Sequence, residues 1–333
     1  MPARRLLRAR NLLALVGVAV LSFLAGPRAR VDPSWHEPGL PATLPELVTT
    51  LEALELGVSG LRPGDGMGIV WADPSEPTVT PLALVYLHGF SADRHEVEPL
   101  LTDLGDRLGA NVFFTRLHGH GRDASAMADA AAEDWLDDAA RAVAVGARIG
   151  ERVGLVGTST GGTLATWAAA RPEAAGRVDA LVLISPNFGV ADASASALLL
   201  PWGGTIARLV VGPERCFEPE NDAQARHWTT CYPTSALPPM LALVDHVRSM
   251  DLSTVEVPVL VLMHPDDRVV DAARTLRVVD RLTGTDPVVE VIEETSDPSR
   301  HVLAGEIVSP ASTDVVRDVI LDFLEARGLR AAG

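Results

Sequence analysis

Residues Gly157-Thr158-Ser159-Thr160-Gly161 restrict this chain more than any other stretch. The short apolar run Arg152–Val156 leads into them, and a small-residue helical pattern, Gly162–Ala170, follows. A chain passing from a buried strand into a helix through Gly-x-Ser-x-Gly turns so sharply that side chains at the flanking positions would clash. Gly157 and Gly161 remove that clash, and the Ser159 hydroxyl is pushed up at the end of the strand, where a base can reach it. The pentapeptide alone is a weak signal; the strand before it and the helix after it give it weight.

Apolar runs of strand length recur on both sides of this turn. Pro81–Leu87 and Asn111–Thr115 precede it; Asp179–Ile184, Pro258–Met263 and Pro287–Ile292 follow. Helical patterns lie between them, which predicts a mostly parallel sheet with helices on both faces. The first run ends in His88-Gly89-Phe90-Ser91, and the second leads into Leu117-His-Gly-His-Gly121.

A strand ending in His-Gly-aromatic ahead of Gly-x-Ser-x-Gly, followed by a Gly-His-Gly loop, resembles the α/β-hydrolase superfamily. The likeness extends over residues 65–327. Within the superfamily the Gly-aromatic loop is similar to that of carboxylesterases and monoacylglycerol-lipase-like members. The resemblance implies the α/β-hydrolase fold with an inserted cap, and a serine nucleophile at Ser159. It also implies an oxyanion hole formed by the backbone N–H groups of Phe90 and Thr160.

A serine nucleophile needs a histidine base, and the base needs an orienting carboxylate, in the order Ser, Asp or Glu, His. Of nine histidines, only His301 follows the last strand, in the loop Thr295–His301. The acid belongs just past Met263, where His264-Pro-Asp-Asp-Arg-Val-Val270 offers two candidates. The family pattern Gly-x-x-Asp-x-x-Val selects Asp267, although His264 stands where that pattern has glycine. Asp266 is then expected to cap the helix that follows. Serine at the turn points to acyl transfer through an acyl-enzyme, with water as acceptor. The expected reaction is hydrolysis of a small-molecule or lipid carboxylic ester, with no cofactor. An aminopeptidase or amidase on the same scaffold is the alternative, and Glu214, Glu218, Glu220 and Asp222 are its candidates for gripping a substrate amine. A catalytically silent binding protein of the same fold is a third reading, and the complete Ser, Asp and His set argues against it. His118, His120 and Asp123 lack a convincing metal-site spacing, and no metal is expected.

Between Ser185 and Val257 lies a connection far longer than usual, read as a cap over about 188–256. Its apolar residues Leu198, Leu199, Leu200, Trp202, Leu209 and Trp228 are candidates for an acyl pocket or for the cap's own core. Cys216 and Cys231, the only cysteines, fall in this insert and form either a disulfide or two buried thiols. At the start, Arg4, Arg5, Arg8 and Arg10 precede an uncharged run, Asn11–Pro27. Residues 1–27 therefore look like a signal peptide or membrane anchor that places the catalytic domain outside the cytoplasm, with a cytoplasmic location as the alternative. Residues 28–64 read as a linker with one helix, Leu44–Leu56. A net charge of −16 argues against nucleic acid as a partner, and nothing in the sequence sets the oligomeric state.

Overall fold

The computed structural model describes residues 2–330, with side chains from Arg10 onward. The chain forms, in order, α1 (Pro2–Leu24), α2 (Leu44–Leu56), β1 (Gly68–Val70), β2 (Ala83–Leu87), α3 (Glu98–Leu108), β3 (Asn111–Phe114), α4 (Ala132–Ile149), β4 (Val153–Thr158) and α5 (Thr160–Ala169). There follow β5 (Ala180–Ile184), α6 (Gly203–Val210), β6 (Glu214–Cys216), α7 (Asp222–His227), β7 (Cys231–Pro233), α8 (Leu237–Ser249), β8 (Val259–Met263), α9 (Ala272–Val279), β9 (Val288–Val291) and α10 (Pro310–Glu325). Seven strands make one sheet in the order β1-β3-β2-β4-β5-β8-β9. All neighbours are parallel except β1, which runs antiparallel to β3 at the edge.

Every residue of β2, β3, β4, β5 and β8 is buried, as expected where helices cover both faces of a parallel sheet. Alternate residues feed two cores. Val85, Leu87, Leu155 and Leu183 pack with Leu47 of α2, Trp135 of α4, Trp167 of α5 and Leu243 of α8. Leu84, Tyr86, Val156 and Val182 pack with Leu101 and Leu104 of α3 and Val316 and Ile320 of α10. Three strands, β1, β6 and β7, lie outside the sequence expectation. Each is only three residues long, too short to stand out as an apolar run.

The insert between β5 and β8 is not all cap, because Leu243 and Val247 of α8 belong to the main core. The covering part is α6, the antiparallel β6–β7 pair and α7. Cys216 and Cys231 sit opposite each other in that pair and are joined by a disulfide.

Residues 28–64 lie against the body. Trp35 stacks on Trp167 with ring centroids 5.4 Å apart. Glu37 pairs with Arg177 at 2.7 Å, and Arg116 with Glu55 of α2 at 2.9 Å. No helix among the described residues is long and apolar enough to cross a membrane. The α1 helix ends at Leu24, so its uncharged part from Asn11 falls short of the ~20 apolar residues that a span requires. A membrane-spanning anchor in this segment is therefore not supported. The side chains of Arg4, Arg5 and Arg8 lie outside the described residues.

Candidate active site

Four loops at the carboxyl ends of the parallel strands meet above β4. Ser159 follows β4 with φ 53° and ψ −117°, a left-handed conformation that costs a non-glycine residue about 1–3 kcal/mol. The neighbouring glycines make it possible. A Cβ on Gly161 would stand 1.9 Å from the Leu87 carbonyl oxygen, and one on Gly157 would stand 2.5 Å from the Gly161 carbonyl oxygen. Ser91, Ser185 and Arg300 also have positive φ, so the loops after β2 and β5 and the loop carrying His301 share the strain.

Ser159 is 8% exposed, and its hydroxyl bonds to no protein group among the described residues. The backbone N–H of Phe90, in the loop after β2, and that of Thr160, the first residue of α5, likewise have no protein acceptor among the described residues. His301 is buried in the loop after β9, and its Nδ1 lies 2.7 Å from Asp267 Oδ2. Asp267 is fixed in turn, because its Oδ1 accepts from Val269 N–H at 2.8 Å and Val270 N–H at 2.9 Å. Burial disfavours the His301 cation. The hydrogen bond and charge of Asp267, aided by Glu96 and Asp297, outweigh burial and raise the imidazole above its ordinary value.

Asp266 does not cap the following helix. Its carboxylate points outward to Arg300 at 2.5 Å, and Asp271 caps α9 instead by accepting from Arg274 N–H. Asp267 closes a turn onto Val269 and Val270, and the helix begins only at Ala272. His264, in place of the family's glycine, is a buried turn residue. Its Nδ1 accepts from Asp266 N–H at 3.0 Å, and its Nε2 donates to the Glu293 carbonyl at 3.2 Å.

Two acids that the sequence reading missed hold these loops. Glu96 Oε2 accepts from Gly89 N–H at 2.9 Å and from the Tyr86 hydroxyl at 2.7 Å. Full burial raises its pKa. It sits behind the Phe90 loop, where a Cβ on Gly89 would lie 3.2 Å from Glu96 Oε1 and 3.5 Å from the Ser159 Cβ. Asp297 takes the N–H groups of His301 and Val302, at 2.9 and 2.8 Å, together with the Ser299 hydroxyl. Burial works against its charge, but these donors lower its pKa. The Asp-x-Ser pattern at 297–299 is the one local signal that pointed to it; Glu96 has none.

Neutral imidazoles support the Phe90 loop from beneath. His120 Nε2 accepts from Ser91 N–H at 3.0 Å, and His88 Nε2 accepts from Leu117 N–H at 3.0 Å. Burial lowers His88 to about 4 and His120, helped by His88, to about 3. His118 and Asp123 are exposed and do not converge with His120. Apolar cover comes from the cap. Trp228 packs with Ala92 and Val302, and Tyr232 packs with Met127 beside Phe90. Leu198 and Leu199 are half-buried, whereas Leu200, Trp202 and Leu209 are exposed.

The same fold occurs in solved structures. One, from work on the metagenome-derived lipolytic enzymes LipS and LipT, is 18% identical with a TM-score of 0.65, over 80% of this chain and 99% of that one. The monoacylglycerol lipase of Paleococcus ferrophilus is 15% identical with a TM-score of 0.58, over 78% and 98%. A soluble variant of the Saccharomyces cerevisiae monoglyceride lipase is 12% identical with a TM-score of 0.60, over 80% and 92%. No curated protein sequence matches the chain significantly. The family model described as serine aminopeptidase, S33, matches residues 80–306, which take in the Phe90 loop, the Ser159 turn, Asp267 and His301. The chain is thus an α/β hydrolase and belongs to the serine aminopeptidase S33 family.

Proposed function

We propose that the protein hydrolyses carboxylic esters through an acyl-enzyme on Ser159. The observation that carries this reading is the strained Ser159 turn, with two free backbone N–H groups beside it and the buried His301–Asp267 pair in the same loop cluster. With Nδ1–H of His301 given to Asp267, the lone pair resides on Nε2. Nε2 takes the Ser159 proton as Oγ bonds to the ester carbonyl carbon. The carbonyl oxygen becomes an oxyanion held by the Phe90 and Thr160 N–H groups. The imidazolium then protonates the departing alkoxide, the acyl–alcohol bond breaks, and water repeats the sequence to free the acid.

The family's aminopeptidase description favours a second reading. A peptidase needs buried acids to hold a substrate amine, and Glu214, Glu218, Glu220 and Asp222 are all exposed. The apolar cap residues Trp228 and Tyr232 pack against the loops that carry Phe90 and His301, which suits an acyl chain, where each buried CH₂ contributes about 0.8 kcal/mol.

A fluorophosphonate probe should label Ser159 alone, and Ser159→Ala should lower turnover by several orders of magnitude. With p-nitrophenyl esters, kcat/KM should rise over the first few acyl carbons and then level. Faster cleavage of aminoacyl p-nitroanilides than of every simple ester would transfer the assignment to the peptidase reading.

A further inference from the structure

A second cluster of reactive side chains lies on the far side of the Phe90 loop, outside the ester-hydrolysing machinery. Asp65 precedes β1, Asp93 and His95 follow β2, and His227 ends α7 in the cap. The two carboxylates are buried, at 2% and 0% exposure. The imidazoles stack at 3.9 Å with 28° between their planes, so both Nδ1 atoms face the same pair of carboxylates. One potential ligand atom from each residue lies within 4.8 Å of the others.

The separations discriminate between a hydrogen-bonded network and a metal site. His227 Nδ1 lies 3.3 Å from Asp65 Oδ1 and 3.4 Å from Asp93 Oδ2. His95 Nδ1 lies 3.6 Å from Asp65 Oδ1 and 3.0 Å from Asp93 Oδ1. An ordinary N–H···O bond is about 2.9–3.0 Å long, and only the last contact matches it. Ligands about 2.0–2.1 Å from a tetrahedral metal stand roughly 3.3–3.4 Å from one another, and three of the four contacts fall close to that edge length. The surroundings suit ligation as well. Arg62 Nε holds the outer oxygen of Asp65, Oδ2, at 2.5 Å, leaving Oδ1 to face inward. Glu98 Oε2 lies 3.6 Å from the far nitrogen of His95, the place where a ligating imidazole is oriented by a carboxylate.

We infer that Asp65, Asp93, His95 and His227 form a four-coordinate site for a divalent transition metal of the zinc class. Two imidazoles and two carboxylates suit such an ion, whereas magnesium and calcium take six or more oxygens. The ligands come from three separate segments: the approach to β1, the loop that carries Phe90, and the cap. A bound ion would therefore clasp the cap to the loop. It would reinforce the bond from Thr229 N–H of the cap to the Ser91 carbonyl at 2.7 Å.

The test uses the full chain, stripped with a chelator and dialysed. Calorimetry with Zn²⁺ should give one equivalent bound per chain, undiminished by excess Mg²⁺ or Ca²⁺. Co²⁺ in the unsubstituted chain should give the intense visible bands of a tetrahedral nitrogen–oxygen site. His227→Ala and Asp65→Asn should each lower Zn²⁺ affinity by more than the ~10–100-fold typical of lost outer-shell partners. Ser159→Ala should leave binding unchanged, which separates this inference from the proposed reaction. Circular dichroism checks that the variants fold, and the Co²⁺ spectrum needs no variant. A stripped chain that takes up neither Zn²⁺ nor Co²⁺ has only an ion-pair network here, and that overturns the inference. Unchanged stoichiometry and affinity in a folded His95→Ala/His227→Ala double variant overturns it equally.

Discussion

Asp266 and Asp267 are adjacent in sequence and have opposite surroundings. The Asp267 side chain is buried between two backbone donors and His301, while Asp266 faces solvent beside Arg300. If Asp267 orients the imidazole, Asp267→Asn lowers turnover by about 10⁴-fold by stabilising the wrong tautomer. Asp266→Asn removes only an exposed ion pair, worth about 1 kcal/mol or less, and leaves kcat nearly unchanged. Reversed effects in steady-state kinetics would shift the acid by one residue. His301 predicts the pH profile. The base must be neutral to work and its pKa is raised, so the acidic limb of kcat/KM should titrate above the ordinary histidine value of about 6.5. The linked stability has the opposite sense. The imidazolium–Asp267 pair contributes fully below about pH 6.5, and its contribution is lost as pH rises through the raised value. A pH–rate profile with its acidic limb below pH 6.5 would contradict the first statement, and urea midpoints measured across the same range check the second.

At the level of elements, the Phe90 loop owes its position to groups that make no contact with a substrate. Glu96 ties Gly89 N–H and the Tyr86 hydroxyl together in a fully buried site. Glu96→Ala strands Gly89 N–H, at about 1–3 kcal/mol, and leaves the Tyr86 hydroxyl with Thr158 Oγ1 alone, so it should reduce kcat along with stability. Glu96→Gln keeps an acceptor oxygen and should recover most of both, as read by thermal unfolding and ester turnover. Equal damage from the two substitutions would mean that the charge of Glu96, rather than its hydrogen bonds, matters. The sequence made the five inner strands legible because parallel strands buried on both faces are apolar runs. It hid β1 and β6–β7, whose three-residue segments are half-buried or exposed in large part and carry no run to read. Ser159, His301 and Asp267 stood out because each follows a strand in a fixed order. The Asp65–Asp93–His95–His227 cluster did not, since three distant segments must fold before its members meet.

Across the whole molecule, residues 28–64 are bound to the body along their length by Trp35, Glu37, Leu47, Leu51 and Glu55. Trp35→Ala removes a stacked pair and part of a packed face. It should cost about 1–3 kcal/mol in urea unfolding while leaving kcat/KM unchanged, because Trp35 touches none of the four loops. An unaltered unfolding midpoint would show that the segment contributes nothing to the body. The partners of this segment also fix an order in time. Trp35 stacks on Trp167 of α5, and Leu47 and Leu51 share a core with Leu243 of α8, all synthesised much later. At ~5–20 residues per second the wait is on the order of ten seconds. Until α5 is made Trp35 lacks its stacking partner, so chains stalled ahead of α5 should be cut more readily around Trp35 by a protease than chains stalled beyond β8. Trp35 is therefore made long before the surface that holds it.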